Sequence, residues 1–392
     1  MKKAGKKRRR RRSKAGPASS AVAAAPTPRA RRVARGLRAL SLGVVLGVVA
    51  ATAWLFVFYP SERGPGGGHA VEISLSRDTS PTDLARTLSA AGLLSSPRLF
   101  AFWVRASGGT GGIVEGTHLV TDDASPREIL ARLERRPGGG SARVTFPEGW
   151  TRFDMARRLE EKRIVSLREF LDATTDASLL RELGLEGESA EGFLFPATYD
   201  LALDSDGRDV VRRMKREFDR RWDTLSHSRG ASLTDVMTSA KMSIRDVVTL
   251  ASMVEKEAAV DEERPVIASV FLNRLRDPSF KPKRLECDPT ASYGCLAMPE
   301  KAASCSAFTG KATAAIEHDP DNPYSTYTHE GLPPGAIANP GAKSLEAVMA
   351  PANTPYFFFV ARGEGRHTFS ATFEAHAAAV HDAGARNAVG TR

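Results

Sequence analysis

The sequence has little cysteine: 3 of its 392 residues, Cys287, Cys295 and Cys305, which cluster in one loop-rich stretch. No Cys-x-x-Cys spacing or nearby histidine pair is present, so the sequence predicts no zinc site. A nucleophilic cysteine is not indicated either. In an oxidising compartment two of the three can form a local disulfide and leave an odd thiol. We therefore expect no metal and no other cofactor, and leave the disulfide open.

Acidic residues are absent from residues 1–38, which carry 15 lysines and arginines. The rest of the chain has the remaining 41 of the 56 basic residues against 46 acidic ones, so it is mildly acidic although the net charge is +10. The basic character belongs to a tail and not to a folded nucleic-acid-binding face. We predict a disordered, cytoplasmic tail that determines membrane topology, with binding to anionic lipid or a cytoplasmic partner as the alternative.

Long apolar runs are also scarce, and the exception is residues 39–59, a stretch of 21 residues without a charge. About 20 apolar residues span a bilayer. The basic flank belongs on the cytoplasmic side, and Trp54 and Tyr59 suit the far interface. Ala51-Thr52-Ala53 resembles a signal-peptide cleavage site, but the apolar run continues beyond it and is longer than such segments usually are. The sequence therefore predicts an uncleaved single-pass anchor, with everything after Pro60 outside the cytoplasm.

Two glycine- and proline-rich stretches divide the remainder of the chain. Residues 60–69 are a predicted linker, and Pro137–Gly140 ends the region that follows. Within residues 70–140 the pattern predicts a strand, two short helices that begin at Ser-Pro pairs, and a returning strand. This order resembles a LysM-like glycan-binding module, and a generic small α/β packing domain is the alternative. Residues 141–392 are the predicted catalytic domain.

The strongest catalytic signal is a helix predicted over Val247–Ala258. Its apolar stripe runs through Leu250 and Val254 to Glu257, because steps of three and four residues share one helical face. A carboxylate on such a stripe is costly to ionise, so its pKa rises and it can hold a proton near neutral pH, as a general acid must. Glu255 lies roughly 200° around the helix and is the second candidate. The non-catalytic interpretation is a solvated Glu-Lys-Glu cluster.

Polar and aromatic side chains are dense in the loops that follow this helix. Proline and glycine restrict loop shapes there, and the side chains are of the kinds that stack on and hydrogen-bond to sugars. A carbohydrate cleft is predicted, with a proline-rich structural lid as the alternative. The candidate substrate-binding residues are Asn273, Asp288, Thr290, Tyr293, Ser325, Thr326 and Tyr327. Structural capping in an Asp-Pro-Thr turn is equally consistent for Asp288 and Thr290, and Asn273 is also predicted to support the acid-bearing helix.

Several motifs, in one order, carry a family resemblance. They are Leu-Ala-Ser-Met-Val-Glu-Lys-Glu, Ala-Ser-Val-Phe-Leu-Asn-Arg-Leu, Asp-Pro-Thr, Tyr-Ser-Thr-Tyr and Gly-Leu-Pro-Pro-Gly-Ala-Ile, with Glu-Gly-Phe-Leu-Phe-Pro upstream and Thr-Pro-Tyr-Phe-Phe-Phe-Val downstream. Together they resemble the endolytic murein transglycosylase (YceG-like) family over residues 70–385. The resemblance implies an α+β protein with a single N-terminal transmembrane helix, a small LysM-like α/β module and a lysozyme-like α+β catalytic domain.

The resemblance also implies a reaction: cleavage of peptidoglycan between N-acetylmuramic acid and N-acetylglucosamine without water. One acid protonates the glycosidic oxygen and then, as a carboxylate, deprotonates the C6 hydroxyl that attacks C1, which leaves a 1,6-anhydro end. Ordinary glycosidases need two carboxylates, whereas here the substrate supplies the nucleophile. Glu257 is favoured as this acid over Glu255. Ala258 departs from the pattern, because a serine or threonine often follows the acid in lysozyme-like transglycosylases.

Members of this family are bitopic inner-membrane proteins, so the resemblance implies a cell inner membrane location with the catalytic domain on the periplasmic side. The expected partners are nascent peptidoglycan glycan strands, the membrane and cell-wall synthases, and no nucleic acid. A noncatalytic glycan-strand-binding scaffold of the cell-wall synthesis machinery is the alternative function. A plain muramidase is a third interpretation.

Overall fold

The computed structural model describes residues 42–76, 79–135 and 140–389. The chain divides into two compact units, Met1–Pro60 and Ser61–Arg392. The predicted tail, the first residues of the predicted span and most of the second predicted linker lie outside the described residues.

The described part of the first unit is helical. Helix α1, Leu42–Ser61, has 20 residues and is long and apolar enough to cross a membrane. Its large apolar side chains point outward: Leu42, Val49 and Phe58 are each more than half exposed. Apolar exposure of this extent is expected when lipid is the solvent. Helix α1 overlaps the predicted span from residue 42 onward.

The second unit begins with two strands that enclose two helices. These elements are β1 (Ala70–Leu75), α2 (Pro81–Ala90), α3 (Pro97–Ala106) and β2 (Gly116–Thr121). Strands β1 and β2 pair antiparallel. The Ser80 side chain accepts a hydrogen bond from the Asp83 backbone and caps α2, and a proline begins each helix. The predicted strand–helix–helix–strand order is confirmed, whereas the likeness to LysM stays a prediction.

The rest of the unit is mainly helical, with two further antiparallel strand pairs. Its elements are α4 (Pro126–Leu133), β3 (Ser141–Thr145), α5 (Arg152–Glu161), α6 (Leu167–Thr175), α7 (Ala177–Glu182), β4 (Thr198–Ala202), α8 (Gly207–Ala240), α9 (Ile244–Glu257), α10 (Arg264–Arg276), α11 (Asp288–Ala297), α12 (Ala314–Glu317), α13 (Ala342–Met349), β5 (Phe358–Gly363), β6 (Arg366–Ser370) and α14 (Phe373–Val389). Strand β3 pairs with β4, and β5 pairs with β6. This mixture confirms the α+β class, while a lysozyme-like catalytic domain stays a prediction.

Buried ion pairs join residues 70–140 to helix α8. Arg213 of α8 pairs with Asp123, and Arg216 of α8 pairs with Glu128 of α4. The two carboxylates are almost completely buried. Breaking a buried pair leaves an uncompensated charge, which costs several kcal/mol, about 3–5. We call these two pairs the joint, because they hold the small α/β module firmly against the larger part of the unit.

Helix α9 forms the centre of the core. Its residues Val247, Leu250 and Val254 are fully buried, and it packs against α10 and α13. The Ser243 side chain accepts from the Asp246 backbone at 3.2 Å, and the Ser243 backbone donates to the Asp246 carboxylate at 2.8 Å. This capping box begins the helix as the sequence predicts. The predicted apolar stripe therefore does face the core and leads to Glu257 at the end of the helix.

Between α10 and α13, the structure differs from the sequence-based prediction for one motif and shows which cysteines form a disulfide. The Asp288-Pro289-Thr290 motif is not an isolated turn but the first turn of α11, where a proline is tolerated because its position needs no N–H donor. Cys295 in α11 and Cys305 form a disulfide, and Cys287 is a free, buried thiol. The open question of which cysteines pair is thereby answered.

Candidate active site

Glu257 is the last residue of α9 and stands where the helix leaves the core. The residue keeps part of its surface exposed, while protein surrounds its carboxyl group. Burial raises the pKa of Glu257 above its ordinary value. The carboxyl group can therefore keep its proton at a pH where an exposed glutamate has lost it, as the apolar stripe predicted.

Four groups from three other parts of the fold face this carboxyl group. The nearby Cys287 thiol lowers the pKa of Glu257, and the Asp288 carboxylate raises it. His367 of β6 and Arg274 of α10 also lower the pKa of Glu257 through electrostatic interactions. Burial favours the protonated carboxyl, whereas Cys287, His367 and Arg274 favour the carboxylate. Such a balance suits a group that must give up a proton and take one back.

Cys287 is held in place by the loop that covers the start of α11. The Cys287 backbone donates to Thr326 Oγ1 at 3.0 Å, and Thr290 Oγ1 donates to the Cys287 carbonyl at 2.6 Å. Burial raises the pKa of the Cys287 thiol, so it stays protonated and remains a donor. The protonated thiol thus favours the ionised form of Glu257, an effect that Ala258, without a hydroxyl, cannot provide. Sequence reasoning considered Cys287 only as a disulfide candidate, although it directly precedes the Asp-Pro-Thr motif.

Glu255, the second catalytic candidate, points to a different set of partners. Its Oε1 lies 3.3 Å from Arg264 Nη1, and its Oε2 accepts from the Gly341 backbone at 3.0 Å. Its side chain is only 6% exposed. In the described ranges Glu257 has no ion-pair partner within 4 Å. The geometry therefore gives Glu255 a fixed structural pairing and leaves Glu257 able to change its protonation state.

Tyr327 is hydrogen-bonded to Asp288, whose carboxylate acts on the pKa of Glu257. The Tyr327 hydroxyl donates to Asp288 Oδ1, and the His318 ring lies 5.1 Å from the Tyr327 ring. Burial, and then the Asp288 carboxylate, raises the pKa of Tyr327, which keeps its hydroxyl protonated. Asp288 is exposed and Tyr327 is partly exposed. Of the predicted substrate-binding residues, these two are both near the acid and accessible from solvent.

Three other predicted substrate-binding residues are turned inward. The hydroxyl oxygens of Thr290 and Thr326 lie 3.0 Å apart, and Ser325 Oγ donates to the Glu317 carbonyl. All three side chains are buried, with exposed fractions of at most 1%. We assign Thr290, Ser325 and Thr326 to the framework that fixes the start of α11, in place of the sugar contact that the sequence predicted.

Tyr293 and Asn273 also make internal hydrogen bonds. Tyr293 is buried, and its hydroxyl donates to Glu191 Oε2 at 2.9 Å. Asn273 Nδ2 donates to the Thr354 and Tyr356 carbonyls, each at 2.9 Å. Asn273 therefore ties α10 to the segment before β5, in keeping with its predicted supporting role, and Tyr293 ties α11 to the interior.

Asn339 is an interior residue that sequence reasoning did not single out. Its Oδ1 accepts from the backbones of Gly192 and Leu194 at 2.9 and 3.0 Å. Its Nδ2 donates to Glu191 Oε1 at 2.6 Å and to the Trp150 carbonyl at 3.0 Å. Asn339 therefore uses its whole hydrogen-bonding capacity to join three distant segments. The sequence feature that could have identified Asn339 is the Asn-Pro-Gly motif at residues 339–341, but this motif alone predicts only a loop.

The segment that Asn339 holds packs directly on the acid-bearing helix. Gly192 has a φ of 88°, and a Cβ at this position would lie 2.8 Å from Val248 Cγ1 of α9. A side chain is therefore not accommodated there. Burial raises the pKa of the neighbouring Glu191 to about 7, against the lowering effect of its hydrogen-bond donors. The Asn339 cluster, which consists of Asn339 and its partners Trp150, Glu191, Gly192 and Leu194, thus packs against α9 at Val248.

Within the described ranges, no group of three or more His, Cys, Asp or Glu side chains is arranged to hold a metal ion. His367 instead pairs with Glu263, Nδ1–Oε2 2.7 Å.

The raised pKa of Glu257 predicts a pH-dependent effect on stability. The fold favours the protonated carboxyl of Glu257. The contribution of this group to the free energy of unfolding is therefore fully present below the ordinary glutamate pKa of 4.5, and it is lost as the pH rises through the pKa of the folded state. The Glu257→Gln variant lacks this loss, so we expect its melting temperature to exceed that of wild type in mildly alkaline buffer and not in acid. Thermal unfolding across a pH series measures this. A gain of the same size at every pH would contradict it.

Comparison with known proteins agrees with the resemblance seen in the motifs. A model of the YceG-like family matches residues 73–382. An endolytic murein transglycosylase of Bacillus subtilis (strain 168) is 26% identical over 324 residues, which cover 78% of this chain and 82% of that protein. An endolytic murein transglycosylase of Streptococcus pneumoniae (strain R6) is 25% identical over 320 residues, 74% of this chain and 54% of that protein.

Among solved structures, a putative yceG-like protein from Listeria monocytogenes is 26% identical, with a TM-score of 0.49 over 79% of this chain and 99% of that one. The family match extends over well more than half of the sequence and includes α9, α11 and the loops around Glu257. The predicted family is therefore confirmed, and the chain belongs to the YceG-like family.

Proposed function

We propose that this chain is a membrane-anchored endolytic lytic transglycosylase of peptidoglycan. It cleaves nascent glycan strands between N-acetylmuramic acid and N-acetylglucosamine and leaves 1,6-anhydro-N-acetylmuramic acid ends. The observation that carries the proposal is a single carboxyl group, Glu257, whose pKa is raised by burial at the end of α9. The names of the relatives, endolytic murein transglycosylases, support the substrate and the reaction class.

Glu257 acts first as the general acid. Its carboxyl proton is transferred to the glycosidic oxygen, the bond from C1 of N-acetylmuramic acid to that oxygen breaks, and N-acetylglucosamine leaves with a new hydroxyl group. Positive charge develops at C1, and the carboxyl group becomes a carboxylate. Cys287, Arg274 and His367 all favour the ionised form of Glu257. These groups therefore lower the cost of the charge that appears on the enzyme during this step.

Glu257 then acts as the general base. Its carboxylate takes the proton from the C6 hydroxyl of N-acetylmuramic acid while the C6 oxygen attacks C1, which closes the 1,6-anhydro ring. The proton returns to the enzyme and no water is consumed. Burial favours this return, because it raises the pKa of Glu257. One carboxyl group is sufficient, whereas glycosidases that use water or a covalent intermediate generally need two.

Asp288 and Tyr327 are the proposed substrate contacts. Both are accessible, and their shared hydrogen bond orients the Tyr327 ring. A phenol ring offers a face for sugar stacking, and a carboxylate accepts hydrogen bonds from amide or hydroxyl groups. Thr290, Thr326, Ser325, Tyr293 and Asn273 support this surface from within.

The proposed setting is the cell inner membrane, with α1 as a single-pass anchor and the catalytic part on the extracytoplasmic side. The length and composition of α1 support the anchor. The Cys295–Cys305 disulfide supports the orientation, because disulfides persist mainly in oxidising compartments. Cell-wall synthases, which supply nascent strands, are the proposed protein partners.

Mass spectrometry of glycan strands digested by the full chain in isotopically labelled water tests the function. We expect 1,6-anhydro ends and no incorporation of solvent oxygen. Reducing ends that contain labelled oxygen would instead identify a muramidase. Strand binding without any cleavage would identify a noncatalytic scaffold, and either result would contradict the proposal.

A further inference from the structure

The outer side of α2 and α3 is a basic surface with one exposed aromatic ring. It is far from Glu257 in sequence, and the proposed reaction does not use it. This α2–α3 face consists of Arg86 on α2 and Arg98, Phe102 and Arg105 on α3, and a groove of about 400 Å³ follows it. The Phe102 side chain is 59% exposed, although the opposite side of α3 is buried in the module. A large exposed ring bordered by guanidinium groups is characteristic of a binding surface.

The charge of this face is positive. Three guanidinium groups stand against one carboxylate, that of Asp83, so two positive charges are in excess. Asp83 pairs with Arg86, Oδ1–Nη1 2.8 Å. In the part of the chain that the structure describes, neither Arg98 nor Arg105 forms an ion pair, and α3 contains no acidic residue. Two guanidinium groups are therefore available to an anionic surface on either side of the exposed ring.

The chain enters this module directly after the apolar helix. Helix α1 ends at Ser61, and the Gly64 backbone already donates to the Asp123 carbonyl at 3.2 Å. Only Glu62 and Arg63 stand between these two points in the sequence. Since α1 is the proposed membrane anchor, lipid headgroups are the anionic partner to which the anchor would already bind this chain.

We propose that the α2–α3 face docks on anionic lipid headgroups at the outer surface of the membrane that α1 spans. Arg98 and Arg105 bind lipid phosphates, for which the planar guanidinium group is well matched. Phe102 inserts at the boundary between headgroups and acyl chains, as aromatic residues of interfacial helices do. The inference rests on the proposed anchoring by α1 and goes beyond the proposed reaction, because it gives the module a second membrane contact.

The test uses the full chain in nanodiscs, with a fluorophore at the exposed residue that follows α3. Ser107→Cys can be labelled selectively, because Cys287 is buried and Cys295 is bonded to Cys305. Lipids that carry a nitroxide on the headgroup quench a fluorophore that lies among the headgroups. We expect severalfold stronger quenching in nanodiscs that contain phosphatidylglycerol than in nanodiscs of phosphatidylcholine alone, and a loss of this difference at high salt.

Charge reversal decides whether the face itself is responsible. Arg98→Glu combined with Arg105→Glu should abolish the difference between the two lipids, and Phe102→Ala should weaken the quenching. Arg168→Glu combined with Arg181→Glu is the control of equal charge, because both residues are exposed and lie on α6 and α7, outside this face, and it should change nothing. Equal quenching in both lipids, or no response to the double reversal, would overturn the proposal.

Two further measurements separate this proposal from those on which it rests. Shielding of the fluorophore by isolated glycan strands, and not by lipid, would assign the face to glycan and overturn lipid docking. Failure of the chain to co-elute with nanodiscs would contradict the anchor. The products of glycan digestion report on the reaction alone, so failures of the reaction, of the anchor and of lipid docking can be told apart.

Discussion

Replacing Glu257 by glutamine should reduce the release of 1,6-anhydro ends by about a thousandfold, the middle of the usual range for loss of a general acid–base group. The amide has nearly the shape of the carboxyl group but can neither donate an acidic proton nor take one back. Since Glu257 performs both steps in the proposed reaction, no second carboxylate compensates. Quantifying anhydro ends by mass spectrometry after digestion of glycan strands measures the effect, and circular dichroism checks that the fold is retained.

Glu255→Gln is the matched control, two residues away on the same helix. This change weakens the pairing with Arg264 and the hydrogen bond from Gly341. We expect a lower melting temperature but anhydro release far above that of Glu257→Gln. The opposite result, with release lost in Glu255→Gln and kept in Glu257→Gln, would transfer the acid's role to Glu255.

Truncation of Asn339 should cause the largest loss of stability among single hydrogen-bonding residues of the site. Asn339→Ala removes four side-chain hydrogen bonds and leaves the buried N–H groups of Gly192 and Leu194 without their acceptor. A buried polar group left unsatisfied costs about 1–3 kcal/mol. We therefore expect the free energy of unfolding to fall by about 4 kcal/mol, measured by urea denaturation at constant pH.

Asn273→Ala provides the comparison for this loss. It is the same chemical change, but it removes only two hydrogen bonds, both to backbone carbonyls, at a partly exposed position. We expect a loss of about 1–2 kcal/mol. Equal losses in the two variants would show that the Asn339 cluster does not have the central role that its contacts indicate.

The acid-bearing helix could be predicted from sequence because its determinants are local. Ser243 and Asp246 specify the start of α9, and the spacing of Leu250, Val254 and Glu257 specifies which side faces the core. The direction of the pKa shift of Glu257 follows from that same spacing. Local periodicity and capping therefore predicted both the helix and the chemical environment of its last residue.

The partners of the acid could not be predicted in the same way. Cys287 reaches Glu257 only because α11 packs against the end of α9, a contact between segments 30 residues apart. Asn339 joins segments separated by up to 189 positions. Thr290 and Tyr293 show a different difficulty: hydroxyl side chains serve equally well on a sugar-binding surface and inside a hydrogen-bonded interior. Residue type does not distinguish the two uses, whereas burial does.

The joint between the small module and α8 has a consequence for the size of the product. Its ion pairs, Arg213 with Asp123 and Arg216 with Glu128, tie the module that carries the α2–α3 face to the part of the unit that carries Glu257. We therefore expect the distance between the α2–α3 face and Glu257 to vary little. If the proposed anchoring, docking and reaction hold, the cut is made at a height above the bilayer set by this distance, and we expect strand remnants of uniform length.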